Sequence, residues 1–134
     1  MTLVDSNVLV DFLDHDPKWL DWSIERLNER AALGPVCFNE IVYSEIAVKS
    51  TSEAELDLAL ADAGLSLNPM PKSAYFLAGT VFGRYRSAGG TRTSNLPDFF
   101  IGAHAQIAGL PILTRDVRRY RTYFPDVALI APDV

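Results

Sequence analysis

A chain of 134 residues, 49% of them hydrophobic, has room for one domain with a filled core. No apolar run approaches the ~20 residues of a membrane span, the start lacks a signal-peptide pattern, and the lone Cys37 excludes an intrachain disulfide. A cytoplasmic protein with no membrane contact is the expectation, and its net charge of −5 argues against a nucleic-acid partner only until the distribution is read. Residues 84–121 carry seven arginines (Arg84, Arg86, Arg92, Arg115, Arg118, Arg119 and Arg121) against Asp98 and Asp116, whereas the remainder holds 15 acids and five bases. That asymmetry suits a polyanion-facing surface on an acidic protein, although solvated arginines would give the same count.

"TLV" at residues 2–4 opens the chain as a short buried strand. Asp16-Pro17 is an N-cap with proline at the first helical position, predicting a helix to about Leu33 before Gly34. "PVCF" (35–38) reads as a second strand, with Cys37 a small buried hydrophobe. Asn39 caps a helix over roughly 40–50, and a further helix over 53–63 ends at Gly64. "LSL" (65–67) is a candidate short strand. A long helix follows Pro71 and stops before Gly89-Gly90, and another opens at Pro97 and ends at Gly109. "PILT" (111–114) and "VALI" (127–130) complete the strands. No repeat or linker divides residues 1–134, so one domain is expected. Strands alternating with helices give an α/β fold, a mainly parallel sheet covered on both faces, with ligands at the carboxyl ends of the strands.

The informative residues are acids that interrupt apolar patterns. Asp5 follows the first strand directly, and Asp116 follows "PILT" with only Arg115 between, so both belong at the carboxyl edge of the sheet. Glu45 shares a helical face with Ile41 and Val48, where a carboxylate is costly unless paired or bound to a metal. Asp98 shares a face with Ile101 and Ala105 at a helix start. Each acid has an ordinary alternative: an N-cap for Asp5 and Asp116, a first-turn acid for Asp98, the rim of the stripe for Glu45. Converging, the four would repel strongly, and a hard divalent cation such as Mg²⁺ or Mn²⁺ removes that repulsion. The chemistry that follows is hydrolysis of a phosphodiester by one or two ions, with the arginine-rich stretch holding the phosphates. Arg86, Arg92, Arg115, Arg118 and Arg119 are the candidate RNA contacts.

"VDSNVLVDFL", "FNEIVYSEIAV" and "LPDFFIGAHAQIAGLPILTRDVRRY" together resemble the PIN-domain nucleases, in particular the VapC-type toxins of toxin–antitoxin pairs. The resemblance spans nearly the whole chain. It implies a three-layer α/β/α fold with about five strands, and Mg²⁺ or Mn²⁺ held by Asp5, Glu45, Asp98 and Asp116. Asn7 and Thr114 match the supporting positions of the D-x-N and T-x-D motifs. The implied activity is endonucleolytic cleavage of RNA (tRNA, rRNA or mRNA), inhibiting translation. The implied partners are a small VapB-like antitoxin and a second copy of the chain in a homodimer.

Other residues read more plainly. Glu40 is an exposed first-turn acid, Asp11 lies on the far side of its helix from Asp5, and His15 and His104 are surface histidines. Trp19 and Trp22 are packing residues, as are Tyr75, Phe76 and Phe82 unless a dimer interface exposes some of them. Ser6 and Ser44 lack a histidine base, so a Ser-His-Asp arrangement lacks its parts. The stretch 84–98 is a candidate substrate-facing loop. Two competing functions remain. A non-catalytic RNA- or partner-binding domain gains nothing from four converging acids. An aspartyl-phosphate phosphatase normally carries D-x-D, where this chain has Asn7.

Overall fold

The computed structural model describes residues 1–93 and 96–132. Strand β1 (Thr2–Val4) is buried along its whole length and runs straight into α1 (Ser6–Asp14), with Asp5 as the N-cap between them. After α2 (Leu20–Leu33), the chain enters β2 (Val36–Phe38), α3 (Glu40–Ala47), α4 (Glu53–Asp62) and β3 (Leu65–Leu67). The second half follows as α5 (Lys72–Ser87), α6 (Pro97–Ala108), β4 (Ile112–Leu113), α7 (Arg118–Tyr123) and β5 (Leu129–Ile130).

All strand pairs are parallel, in the order β3-β2-β1-β4-β5. Leu3 of β1 lies between Cys37 of β2 and Ile112 of β4. The chain builds outward from β1 through β2 and β3, then returns to the other side of β1 to lay down β4 and β5. The crevice between the ends of β1 and β4 is therefore the topological switch point, where open α/β sheets bind ligands. Fully buried Leu3, Val4, Ile112 and Leu113 form the centre of the sheet, and Val8, Leu9, Ile46, Phe99 and Ile101 cover it from the helices. This is the expected α/β/α architecture.

Several boundaries and burials differ from expectation. Asp16 Oδ1 accepts from the backbone N–H groups of Lys18 and Trp19, but it closes a turn, and α2 begins only at Leu20. The strands at 112–113 and 129–130 are shorter than their apolar runs. Helix α7 has no counterpart among the predicted elements. His104 is not on the surface: it is completely buried, because α6 packs against α3, α5 and α7 and every residue from Ile101 to Ala105 is enclosed. Asn39, the cap of α3, donates from Nδ2 to His104 Nδ1 at 3.1 Å, which leaves the proton on Nε2, an atom with no partner among the described residues. Burial pushes the imidazole pKa down.

Gly102 lets α6 and α7 approach, since a Cβ there would run into the Phe124 ring. On α5 the inward face is Ala74, Ala78 and Val81, leaving Phe76 and Tyr75 exposed rather than in the core. The stretch 84–98 continues α5 as far as Ser87, and Ser94 and Asn95 of the candidate loop lie outside the described residues. Among the described residues, no helix is long and apolar enough to cross a membrane.

Candidate active site

Asp5 is the centre of the site, and its position follows from the strand-to-helix junction. An extended backbone at the N-cap turns its carboxylate back over the first turn of α1, where Oδ1 accepts the Ser6 N–H at 2.7 Å. Oδ2 accepts two hydroxyls, Thr114 Oγ1 and Tyr120 Oη, each at 2.8 Å. Asp5 is only 3% exposed, and burial raises its pKa more than these donors lower it.

Thr114 stands at the end of β4, beside β1, and links the two halves of the site. Its one proton goes to Asp5, and its oxygen accepts from Asn7 Nδ2 at 3.2 Å and from the Asp116 N–H at 3.1 Å. Asn7 Oδ1 in turn accepts the Arg115 N–H at 3.1 Å. The side chains of Asn7 and Thr114 thus pin the turn after β4 onto the first turn of α1, and that turn carries Asp116.

Glu45 is half-buried on α3, and Ser6 Oγ donates to its Oε1 at 2.9 Å. Burial raises its pKa, and the charges of Asp5 and Asp98 add to the shift. Asp98 follows Pro97 in the first turn of α6. Its pKa is pushed up to about 6, chiefly by burial and next by the Asp5 charge, with Asp116 adding a smaller rise. Asp116 is more open, and its pKa is lowered, first by the Arg118 guanidinium donating to its carboxylate. Asp5, Glu45 and Asp98 therefore lie within electrostatic reach of one another at the switch point, and Asp116 within reach of Asp98.

Arginines close the open side. Arg118 meets both oxygens of Asp116, Nε to Oδ1 and Nη2 to Oδ2, each at 3.3 Å. Arg119 Nη1 lies 3.5 Å from Asp98 Oδ2. Arg115, a candidate RNA contact, is committed elsewhere: its guanidinium grips buried Asp11 at 2.6 and 2.8 Å and lies 5.0 Å over the Trp19 ring. Ser23 Oγ donates to the same Asp11 carboxylate. Arg86 donates to the Arg92 carbonyl, both residues are exposed, and among the described residues neither pairs with a site acid. Glu40 is exposed as expected, accepting the Met70 N–H.

Sequence reasoning missed Ser6, Asp11 and Tyr120. Ser6 had a signal, its place between Asp5 and Asn7. Tyr120 and Asp11 had none, since each meets its partner only through the tertiary fold, 115 and 104 residues away in sequence.

The donor set is all carboxylate, crowded and partly desolvated, which fits a hard divalent cation. Among the described residues, no three acids stand close enough to ligate an ion as the side chains now lie. Two of the four are paired with arginines, Asp116 with Arg118 and Asp98 with Arg119.

A parallel α/β domain with charge-coupled acids at its switch point carries a carboxylate site where open α/β sheets bind ligands. The PIN domain family model matches residues 2–125, and the chain belongs to that family. Domains of this family are generally nucleases. By sequence alone the chain matches no curated protein. Its fold is similar to that of a chain in VapBC2 from Rickettsia felis bound to a promoter DNA fragment (TM-score 0.74, 18% identity, 98% of each chain). DNA-bound VapBC from Salmonella typhimurium is also similar (0.69, 21% identity, 98% of each). VapBC-1 from nontypeable Haemophilus influenzae matches at 0.70 with 16% identity, over 97% of this chain and 96% of that one.

Proposed function

We propose that the protein is a divalent-metal-dependent endoribonuclease, the VapC-like toxin of a toxin–antitoxin pair, held in check by a small VapB-like antitoxin. The observation that carries this reading is the group of Asp5, Glu45, Asp98 and Asp116 at the switch point, with three of their pKa values raised and arginines at the rim. The structural neighbours, toxin–antitoxin complexes, support the partner. A cytoplasmic homodimer inhibiting translation completes the proposal.

Asp5, Glu45, Asp98 and Asp116 would hold Mg²⁺ or Mn²⁺, one ion or two. The ion would supply an acidified water and stabilise the departing oxygen. Around it the chain does positioning work. Thr114 and Tyr120 fill Oδ2 of Asp5 and Ser6 N–H takes one side of Oδ1, so the carboxylate presents one fixed open edge. Ser6 orients Glu45. Arg118 and Arg119 set positive charge where RNA phosphates arrive, with Arg86 and Arg92 farther along the strand's path.

A phosphatase with Asp5 as nucleophile would need an acid/base two residues on. Asn7 stands there, and both ends of its amide are used in holding Thr114 and Arg115. The test is incubation of the protein with total tRNA and a panel of structured RNAs in EDTA, Mg²⁺ or Mn²⁺, with Asp5→Asn beside the wild type. Metal-dependent cuts that vanish in the variant are expected. Metal-indifferent RNA binding without cutting would favour the non-catalytic domain.

A further inference from the structure

Two acids of the site are fixed by buried hydroxyls or half-buried contacts, and among the described residues the other two are held by arginines of one short helix. Arg118 and Arg119 are adjacent on α7, yet they reach different carboxylates, Asp116 after β4 and Asp98 on α6. Both pairs are accessible: side-chain exposures are 84% and 47% for Arg118 and Asp116, 38% and 29% for Arg119 and Asp98. The Arg118–Asp116 pair is of the weak, screened kind, and the half-buried Arg119–Asp98 pair, at 3.5 Å, is longer than a good charge-assisted hydrogen bond, so a divalent ion can compete with both.

We propose that Arg118 and Arg119 are exchangeable cations that hold Asp116 and Asp98 in the metal-free protein and pass to RNA phosphates when an ion takes those carboxylates. The proposal rests on the metal-nuclease reading of the site and adds an order to it. Metal binding frees two guanidinium groups at the rim, so metal and RNA each favour the other, as linkage requires. Without metal, the same arginines are neutralised by their own chain and contribute little to RNA affinity. The site is thereby attractive to RNA only when loaded.

Arg121 supplies the control. It is exposed on the same helix, carries the same charge and makes no ion pair among the described residues. Mn²⁺ affinity is measured by calorimetry for wild type, Arg118→Gln, Arg119→Gln and Arg121→Gln. RNA affinity is measured by anisotropy with a short mixed-sequence RNA across a salt series, in EDTA and in Ca²⁺, with RNA integrity checked on a gel.

Exchange gives opposite signs. Arg119→Gln tightens Mn²⁺ binding by about two- to fivefold, as expected for loss of a weak competing pair. It weakens RNA binding in Ca²⁺ and lowers the salt slope there by about one. The slope in EDTA stays at the wild-type value, and Arg121→Gln leaves Mn²⁺ affinity near wild type. An Arg119→Gln variant with unchanged or weaker Mn²⁺ binding, or a slope that falls equally in EDTA, overturns the exchange. Mn²⁺ uptake that Asp5→Asn abolishes shows the metal site to be sound even if the exchange fails. No uptake by wild type overturns both.

Discussion

Tyr120→Phe removes one atom and tests how the centre of the site is built. The ring is 1% exposed and stays in place, so no cavity forms. What goes is a 2.8 Å hydrogen bond to Oδ2 of Asp5, leaving Thr114 as the only hydroxyl on that oxygen. A hydrogen bond to a charged group contributes about 1.5–3 kcal/mol. The low end applies here, because the phenol hydroxyl no longer has to be desolvated. For a chain of this length each kcal/mol moves the melting temperature by about 3–5 °C, so a fall of ~5 °C is expected without metal. If Asp5 holds the ion, metal affinity also falls, by the 10–100-fold typical of losing a partner that orients a ligand.

Differential scanning fluorimetry reads the first effect and Mn²⁺ calorimetry the second. Tyr123→Phe is the control, since the Tyr123 hydroxyl makes no hydrogen bond among the described residues while its ring packs on Phe99. That variant should melt within about 1 °C of wild type, as removal of an unpartnered hydroxyl should do. If Tyr120→Phe matched Tyr123→Phe in both melting temperature and Mn²⁺ affinity, Tyr120 would be only a packing residue, and the account of Asp5 orientation would be wrong.

Asp5→Asn should abolish metal-dependent cleavage, and it should lose the rise in melting temperature that Mn²⁺ gives wild type, a stabilisation of about 2.7 kcal/mol at 100 times Kd. Thermal melts of both proteins with and without Mn²⁺ check this. The metal-free protein should show a pH signature of its crowded acids. The Asp98 pKa rises from 3.8 to about 6 on folding, so the folded state binds the extra proton. The stability from this group is fully present below pH 3.8 and is lost as pH rises toward 6, with Asp5 and Glu45 acting in the same direction. Asp98→Asn should flatten that slope in melts taken across the window. His104 works oppositely: its pKa falls from 6.5 on folding, so stability is lost as pH drops below 6.5. Asp11→Ala should destabilise by up to about 3 kcal/mol, because it strips a bidentate partner from a mostly enclosed guanidinium, and urea unfolding measures the loss.

The acids of the site were legible where they break an apolar pattern. Asp5 ends a buried strand, Asp98 follows a proline at a helix start, and Asp116 follows a strand; Glu45 was reached through the wrong stripe, because α3 buries Val42 and Ile46 while Val48 is 84% exposed, so Glu45 lies at the rim of the buried face. Period and capping rules act over a few residues, and these positions are defined at that range. The parallel sheet was legible for the same reason, through strands alternating with capped helices. What escaped is set by contacts over more than a hundred residues. Tyr120 sits in "RRYRTY", whose charges mask any apolar period, yet α7 delivers its hydroxyl into the core. Asp11 was read as lying on the far side of its helix from Asp5, and nothing local shows that it grips Arg115, a candidate phosphate contact. His104 was misplaced because "GAHAQIAG" has small residues all round, a pattern that allows enclosure from every side as readily as a solvent face.

The site thus has two mechanically different halves. Asp5 is immobilised by buried donors whose own partners are Asn7 and the turn after β4, a closed network in which low dielectric strengthens each bond. Asp116 is held by an exposed guanidinium, a pair of the kind that contributes about 0–1 kcal/mol, and Asp98 by a half-buried one 3.5 Å away. A hard ion needs one fixed ligand to recognise and others able to close around it, because Mg²⁺ gives up its hydration shell reluctantly and accepts only near-octahedral geometry. A fully rigid set of four carboxylates would have to carry its repulsion permanently, at a cost to folding. Confining rigidity to Asp5 and leaving the acids on α6 and the β4 turn to arginine pairs lowers that cost, and the raised pKa values of Glu45 and Asp98 are the part that remains. In the proposed metal site it would also keep those carboxylates available for the ion.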